Sequence, residues 1–271
     1  MTPGSSIGEL HNIDMNDENS IWQAANGAYA LPAHEVHVWR ASLNLPESSY
    51  FKMWQSLSPD ERGRANRFHF DVDRKRSVLG RGLLRLLLGH ILRRPAGHLQ
   101  FECNEFGKPR LIAGQGPPLH FNLSHSGDLV LVAITIGREV GIDVEKIRLD
   151  FAVEEVAAQT FSAKECKLLA SLTTEARYRA FFSCWTRKEA YLKARGTGLS
   201  LPADQFDVSF LSGVEPQLLE TRNDPADANR WTLRALHAGR DYEAALAVER
   251  PSWKLKCWDW PTSIVEDIAG G

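Results

Sequence analysis

Two neighbouring stretches decide the fold: Leu129-Val-Leu-Val-Ala-Ile-Thr-Ile136 and, beyond Gly137, Val140-Gly-Ile-Asp-Val-Glu145. Both are rich in β-branched residues, have strand length and flank a turn glycine, so each reads as a strand. Upstream, Leu119–Leu123 and Leu99–Phe101 read as short strands with Gly107-Lys-Pro and Gly114-Gln-Gly-Pro-Pro turns between them. Val36 and Val38 alternate with His37 and Trp39, which predicts a strand over Glu35–Arg40. Helices frame these strands. Ser58-Pro59-Asp60-Glu61 supplies an N-cap serine, a proline at the first position and acids in the first turn, opening a helix to about Phe68. A longer helix is expected over Asp73–Leu92, with Leu79, Leu83, Leu86, Leu87 and His90 on one face and Arg74, Arg81 and Arg85 on the other. Gly80, Gly82 and Gly89 cost helix propensity there and point to close packing against another backbone.

Further along, Ser162-Ala-Lys-Glu165 is a capping box, and a strong helix covers about Tyr178–Arg195 before Gly196 and Gly198. Phe206–Phe210, Trp231–Leu236 and Ala244–Val248 read as strands and are followed by a Trp-rich tail. Helices and strands thus recur in both parts of the chain, an α+β pattern. Residues 1–30 lack sustained apolar periodicity and read as a mobile leader, 31–137 as an N-terminal α+β half and 138–271 as a C-terminal one.

The chain has 271 residues, 43% hydrophobic and 24% charged, enough to bury a substantial core as two domains or one large one. A net charge of −2 gives no electrostatic reason to expect nucleic-acid binding. Leu83–Leu92 and Leu129–Ile136 are far shorter than a membrane span, and the polar start has no basic-then-apolar signal pattern. Cys103, Cys166, Cys184 and Cys257 are widely spaced, so neither a disulfide framework nor a zinc site is expected, and each reads as a small buried hydrophobe. A reducing cytoplasm is the expected location.

Four clusters can carry chemistry. Ten basic residues between Arg62 and Arg94 face only Asp71 and Asp73, a local excess that suits a phosphate or an acidic partner, or else a solvated, salt-bridged surface. Asn122-Leu123-Ser124-His125-Ser126 ends an apolar strand, where short polar side chains and free N–H groups can wrap phosphate oxygens or satisfy their own turn. In Gly141-Ile-Asp-Val-Glu145, alternation places Asp143 and Glu145 on one strand face, as a pair of oxygen ligands for a hard cation such as Mg²⁺ or as a solvent-facing edge. In Trp185-Thr-Arg-Lys-Glu-Ala-Tyr-Leu-Lys193, Trp185, Glu189 and Lys193 share a helix face. Glu189 and Lys193 are then either an i,i+4 helix pair or a third carboxylate and a phosphate-reaching lysine.

Taken in order, these segments resemble the surfactin-synthetase-activating type of 4′-phosphopantetheinyl transferase. That family joins a G-x-D-x-E strand to a downstream W-x-x-K-E-x-x-x-K helix, matched here by Gly141–Glu145 and Trp185–Lys193. Asn122–Ser126, Gly107-Lys108-Pro109, Gly196-Thr197-Gly198-Leu199 and the basic helix Arg64–Arg85 extend the likeness from about Glu35 to Leu201. The resemblance implies two similar α+β halves related by a pseudo-twofold, with coenzyme A in the cleft between them. It implies transfer of phosphopantetheine from coenzyme A to a serine of an apo acyl- or peptidyl-carrier protein, releasing adenosine 3′,5′-bisphosphate, by a chain sufficient as a monomer. It also assigns residues. Asp143, Glu145 and Glu189 become Mg²⁺ ligands, with Glu189 also the base. Ser124, His125, Asn122, Lys108 with its Gly107 turn, Arg64, Arg76, Ser77 and Lys193 become contacts to coenzyme A. Rival readings are a non-catalytic coenzyme A- or nucleotide-binding module and a Mg²⁺-dependent phosphodiesterase.

Overall fold

Apolar residues at period two and at period 3.6 sort this chain into two sheets and two long helices, stacked in four layers. The computed structural model describes residues 21–25 and 30–260. In chain order the elements begin with β1 (Trp22–Ala24), β2 (Glu35–Ser42), α1 (Glu47–Ser56), α2 (Pro59–Ala65) and α3 (Asp71–Leu92). There follow β3 (Phe101–Cys103), β4 (Pro109–Leu111), β5 (Leu119–Ser126), β6 (Leu129–Ile136) and β7 (Val140–Lys146). The remainder comprises α4 (Val153–Thr160), α5 (Ala163–Ala170), α6 (Thr174–Arg195), β8 (Phe206–Val208), β9 (Leu218–Thr221), β10 (Trp231–Ala235), β11 (Tyr242–Glu249) and β12 (Lys254–Asp259). The expected α+β class holds.

The larger sheet has the order β1-β12-β2-β6-β5 and the smaller one β10-β11-β7. Strand alternation sets how they stack. Trp39, Ala41, Val130, Val132 and Ile134 turn toward Leu79, Leu83 and Leu87 of α3. Val36, Val38, Leu131 and Ala133 turn the other way, meeting Val140, Ile142, Val144, Ala244, Leu246 and Val248 of the smaller sheet. The outer face of that sheet, with Leu233, Ala245 and Ala247, packs with Ala190, Tyr191 and Ala194 of α6. The layers are therefore α3, larger sheet, smaller sheet, α6. Each half repeats the same device, a 22-residue helix over antiparallel strands.

The termini of the chain tie the halves together. The Trp-rich tail forms β12, which runs parallel to β2 with Lys254 opposite Glu35, so residues from the C-terminal half complete the larger sheet. Strand β1 adds to β12 with Trp22 opposite Cys257, and therefore part of the expected leader is sheet. Residues 1–20, 26–29 and 261–271 lie outside the described residues.

Local signals mostly land where the sequence places them. Both capping boxes form. Ser58 accepts from the Glu61 N–H and Ser162 from the Glu165 N–H, with each glutamate returning to the cap N–H. Helix α2 ends at Ala65 rather than near Phe68, because Asn66 closes it onto the Arg62 and Arg64 carbonyls. The expected strand at Leu99 starts only at Phe101, since Ala96–His98 is a 3₁₀ turn and the Leu99 carbonyl serves Arg85. Arg85, expected on the outer face of α3, is instead 1% exposed. Its guanidinium is shared among Glu61 at 2.7 Å, the Ala96 carbonyl at 2.7 Å and the Leu99 carbonyl at 3.1 Å. Of the four cysteines, Cys103 is exposed rather than buried.

Two glycines mark the close approaches that the sequence foreshadows. A Cβ on Gly82 would overlap the Met53 side chain of α1, and one on Gly141 would overlap the Ala190 carbonyl and the Ala194 amide of α6. Gly89 also abuts backbone, whereas Gly80 has ordinary clearance. Because Gly141 lets β7 run directly beneath α6, Gly141→Ala should force the two elements apart. We expect a loss of about 1–3 kcal/mol or more, read as a lower urea midpoint. An unchanged midpoint would mean that the helix–strand contact tolerates a methyl group.

Candidate active site

The site grows from two strand edges. Leu119, Phe121 and Leu123 of β5 pack toward α3, so His120, Asn122, Ser124 and Ser126 project oppositely, toward β7. Strand β7 pairs with β11 on one side only, which leaves the N–H groups of its other edge in need of acceptors. Side chains of β5 supply them. Asn122 Oδ1 accepts from Ile142 N–H at 2.9 Å, Ser124 Oγ from Val144 N–H at 3.4 Å and Ser126 Oγ from Lys146 N–H at 3.0 Å. The two serine hydroxyls in turn donate to the carboxylates, Ser124 to Asp143 Oδ1 at 2.8 Å and Ser126 to Glu145 Oε2 at 2.7 Å.

Helix α6 closes the site from above, its stripe of Trp185, Glu189 and Lys193 lying over the same strand. These residues, with Leu123, Ser124, His125, Asp143 and Glu145, line an open cleft of about 380 Å³. Lys193 does not pair with Glu189 along the helix. Its ammonium reaches across to Asp143 Oδ1 at 2.5 Å and to Ser124 Oγ at 3.2 Å. Among the described residues none donates a hydrogen bond to the Glu189 carboxylate.

Electrostatics follow from this crowding. Burial pushes the Glu189 carboxyl above its ordinary value; Lys193 opposes the shift, and the charges of Asp143 and Glu145 add to it. Glu145 is raised by burial and by Asp143, against the hydrogen bond from Ser126. At His125, close packing of the ring and then the positive charges of Lys193 and Arg76 lower the imidazole below its ordinary value. No group of three or more His, Cys, Asp or Glu side chains forms a ready-made metal cluster among the described residues. The donor set nevertheless suits a hard cation. Three carboxylates meet in one cleft, Asp143 is 3% exposed, and its Oδ2 is buried without a partner.

The other residues expected at the site are placed as follows. Arg76 stands beside it, its charge felt at His125, while it pairs at 3.4 Å with Asp128 and at 3.9 Å with Asp73. Ser77 is half-buried next to Arg76 on α3. Arg64 is exposed and lines a separate cleft with Glu61, Arg85, His98 and Phe101. Asn122 is a strap between strands rather than a free ligand, because its Oδ1 is spent on Ile142. Lys108 is likewise committed within the fold. Its ammonium donates to Glu139 Oε2 at 2.7 Å, the Val140 carbonyl at 3.1 Å and the Ala194 carbonyl at 3.0 Å. The N–H of Gly107 closes its own turn onto Asn104.

Two contributors escaped the sequence reading. Ser126 was visible in the Asn122-x-Ser124-x-Ser126 alternation, but its carboxylate partner lies 19 residues away. Lys188, between two site residues in the sequence, is 2% exposed. It pairs with Glu165 at 2.7 Å while donating to the Ala203 and Phe206 carbonyls, and so anchors the loop after α6.

The Lys108 clasp generates a test. Burial alone would raise Glu139, but hydrogen bonds from His120 and Lys108, with their charges, hold it down to about 2. A depressed carboxyl stabilises the fold above its ordinary value of 4.5, and that contribution is lost as the pH falls toward 2. Glu139→Gln should therefore flatten the stability curve between these values, measured as urea midpoint against pH. Parallel curves for the two proteins would remove Glu139 from the clasp.

Comparison with known proteins agrees with this geometry. Residues 139–247 match the family described as "4′-phosphopantetheinyl transferase superfamily", and residues 38–136 match "4′-phosphopantetheinyl transferase, N-terminal". The chain is 40% identical over 233 residues to the 4′-phosphopantetheinyl transferase HetI of Nostoc sp., covering 85% of this chain and 94% of that one. It is 36% identical over 214 residues to the 4′-phosphopantetheinyl transferase psf-1 of Bacillus pumilus, covering 77% and 87%. A solved holo-(acyl-carrier-protein) synthase from Bacillus anthracis aligns with 42% of this chain and 96% of its own, at 20% identity and a TM-score of 0.35. On the extent of these matches, the chain is an enzyme that belongs to the 4′-phosphopantetheinyl transferase superfamily.

Proposed function

We propose that this enzyme transfers the 4′-phosphopantetheine group of coenzyme A to a serine hydroxyl of an apo acyl- or peptidyl-carrier protein, with Mg²⁺, releasing adenosine 3′,5′-bisphosphate. The observation that carries this reading is the meeting of Asp143, Glu145, Glu189 and Lys193 in one cleft beside His125. Asp143, Glu145 and Glu189 are the residues that would hold the cation, which when bound neutralises charge on pyrophosphate oxygens. Ser124, His125, Arg76, Ser77 and Lys193 are left to face the donor's phosphates. Lys108, Gly107, Asn122 and Arg64 drop out of that set because their groups are engaged or sited elsewhere.

In the transfer, serine Oγ forms a bond to the phosphorus that bears pantetheine. The bond from that phosphorus to the bridging oxygen breaks, and adenosine bisphosphate leaves. The serine proton needs an acceptor, and the Glu189 carboxylate, free of hydrogen bonds and raised by its surroundings, is suited to take it. Lys193 lies within reach of the leaving side and there offsets its growing charge. One chain carries both halves of the cleft, which supports action as a monomer. No helix among the described residues is long and apolar enough to cross a membrane. With the cysteine spacing, we read the setting as cytoplasmic, with neither nucleic acid nor membrane as a partner.

Mass spectrometry of apo carrier proteins incubated with this enzyme, coenzyme A and Mg²⁺ should show a phosphopantetheine added to serine, and EDTA should abolish it. No mass shift across fatty-acid, polyketide and peptide-synthetase carriers would refute the transfer. Glu189→Gln keeps the shape and one oxygen ligand but removes the proton acceptor. Turnover should fall by ~10²–10⁴ with coenzyme A binding little changed. Full rescue by added Mg²⁺ would make Glu189 a ligand alone, and unimpaired turnover would remove it from the site.

A further inference from the structure

Beside the carboxylate cleft lies a second, smaller cavity of about 260 Å³ that the transfer chemistry leaves unassigned. Thr160, Phe161, Leu192, Leu201 and Ala203 line it, and it shares Trp185 and Glu189 with the cleft, so the two spaces adjoin across a common wall. The cavity is firmly built. Trp185 stacks on Phe181 at 6.0 Å between ring centroids. Opposite, the loop carrying Ala203 is pinned by the Lys188 ammonium, which reaches the Ala203 carbonyl at 2.8 Å and the Phe206 carbonyl at 2.6 Å. The lining is mainly apolar, and the acids Glu189 and Asp204 also border it.

The position of this cavity identifies its occupant. Phosphoryl transfer places the attacking and leaving oxygens roughly in line, on opposite sides of the phosphorus. The cations suited to the leaving adenosine bisphosphate, Lys193 with Arg76 and His125, stand on the β5 and α3 side of the cleft. The acceptor hydroxyl must then arrive over Glu189 and Trp185, the wall shared with the apolar cavity. Resting on the transfer reading above, we propose that this cavity receives an apolar side chain of the carrier protein close to its acceptor serine. It thereby helps to decide which carriers are served. The pantetheine arm is the competing occupant, but its oxygen is a spectator on the reacting phosphorus and need not point along the line of attack.

Two variants test this without touching the carboxylates. Ala203→Phe fills the cavity, and Leu201→Ala removes part of its wall. Each should raise KM for an apo carrier by about tenfold or more, the scale of burying one large apolar side chain. The calorimetric affinity for coenzyme A should stay within about twofold, which also reports that the variants are folded. Alanine replacement of the apolar residues flanking the carrier serine, one at a time, should find one whose loss raises KM for the parent enzyme but not for Ala203→Phe. Weakened coenzyme A binding with an unchanged carrier KM would assign the cavity to the pantetheine arm and overturn the proposal. Unchanged values for both substrates would also overturn it while leaving the transfer reading intact. Failure of the parent enzyme to modify any carrier would sink both.

Discussion

The row of side-chain-to-backbone hydrogen bonds between β5 and β7 is the constraint on which the rest of this structure depends. Two sheets meet at exposed edges there without continuing one another's backbone ladder, and an edge left bare inside a fold is costly. Asn122, Ser124 and Ser126 act as substitute carbonyls at a constant offset of 20 residues, to Ile142, Val144 and Lys146. The offset fixes register as well as proximity. A slip by one residue would turn the serines to the wrong face and present Leu123 to the carboxylates. The halves are thus held in the one alignment that brings each serine hydroxyl to its acid.

With the seam in place, the charges of the site follow from solvation. Asp143, at 3% exposure, cannot remain charged without compensation, and it takes both the Lys193 ammonium and the Ser124 hydroxyl. Glu189 sits in the more open part of the cleft and can do without a partner. That is why the lysine crosses to the strand instead of closing the i,i+4 pair that the helix offers, an exposed pair being worth only a few tenths of a kcal/mol. The arrangement leaves one acid neutralised and two with raised proton affinity, an asymmetry that three similar carboxylates would not have by themselves.

The sequence exposes this much of the molecule because short-range rules govern the strands and helix caps. Leu129–Ile136 forms its strand to the residue, both capping boxes close, and Gly141 announces a backbone contact. Long cationic side chains defeat the same rules. Their heads lie several bonds from the backbone, so position in the sequence says little about which acceptor they find. Lys108 serves a helix end 86 residues away, and Arg85 leaves its helix face to collect two loop carbonyls and Glu61. Strand β12 was hidden for a related reason. A parallel partner some 219 residues upstream leaves no local mark beyond apolar alternation.

The basic stretch shows how this limits the reading of charge. Ten cations in Arg62–Arg94 look like one phosphate patch when counted along the chain. In space they divide by what they must satisfy. Arg62 takes the Trp54 and Gln55 carbonyls at the end of α1, and Arg81 and Arg85 share Glu61. A guanidinium locked onto buried carbonyls or a buried acid cannot be withdrawn for a ligand without exposing those groups to the full cost of desolvation. Arg76, whose partners Asp73 and Asp128 are both substantially exposed, can exchange them for a phosphate at little cost. Availability, rather than density of charge, is therefore what separates a cation that can hold substrate from one that holds the fold.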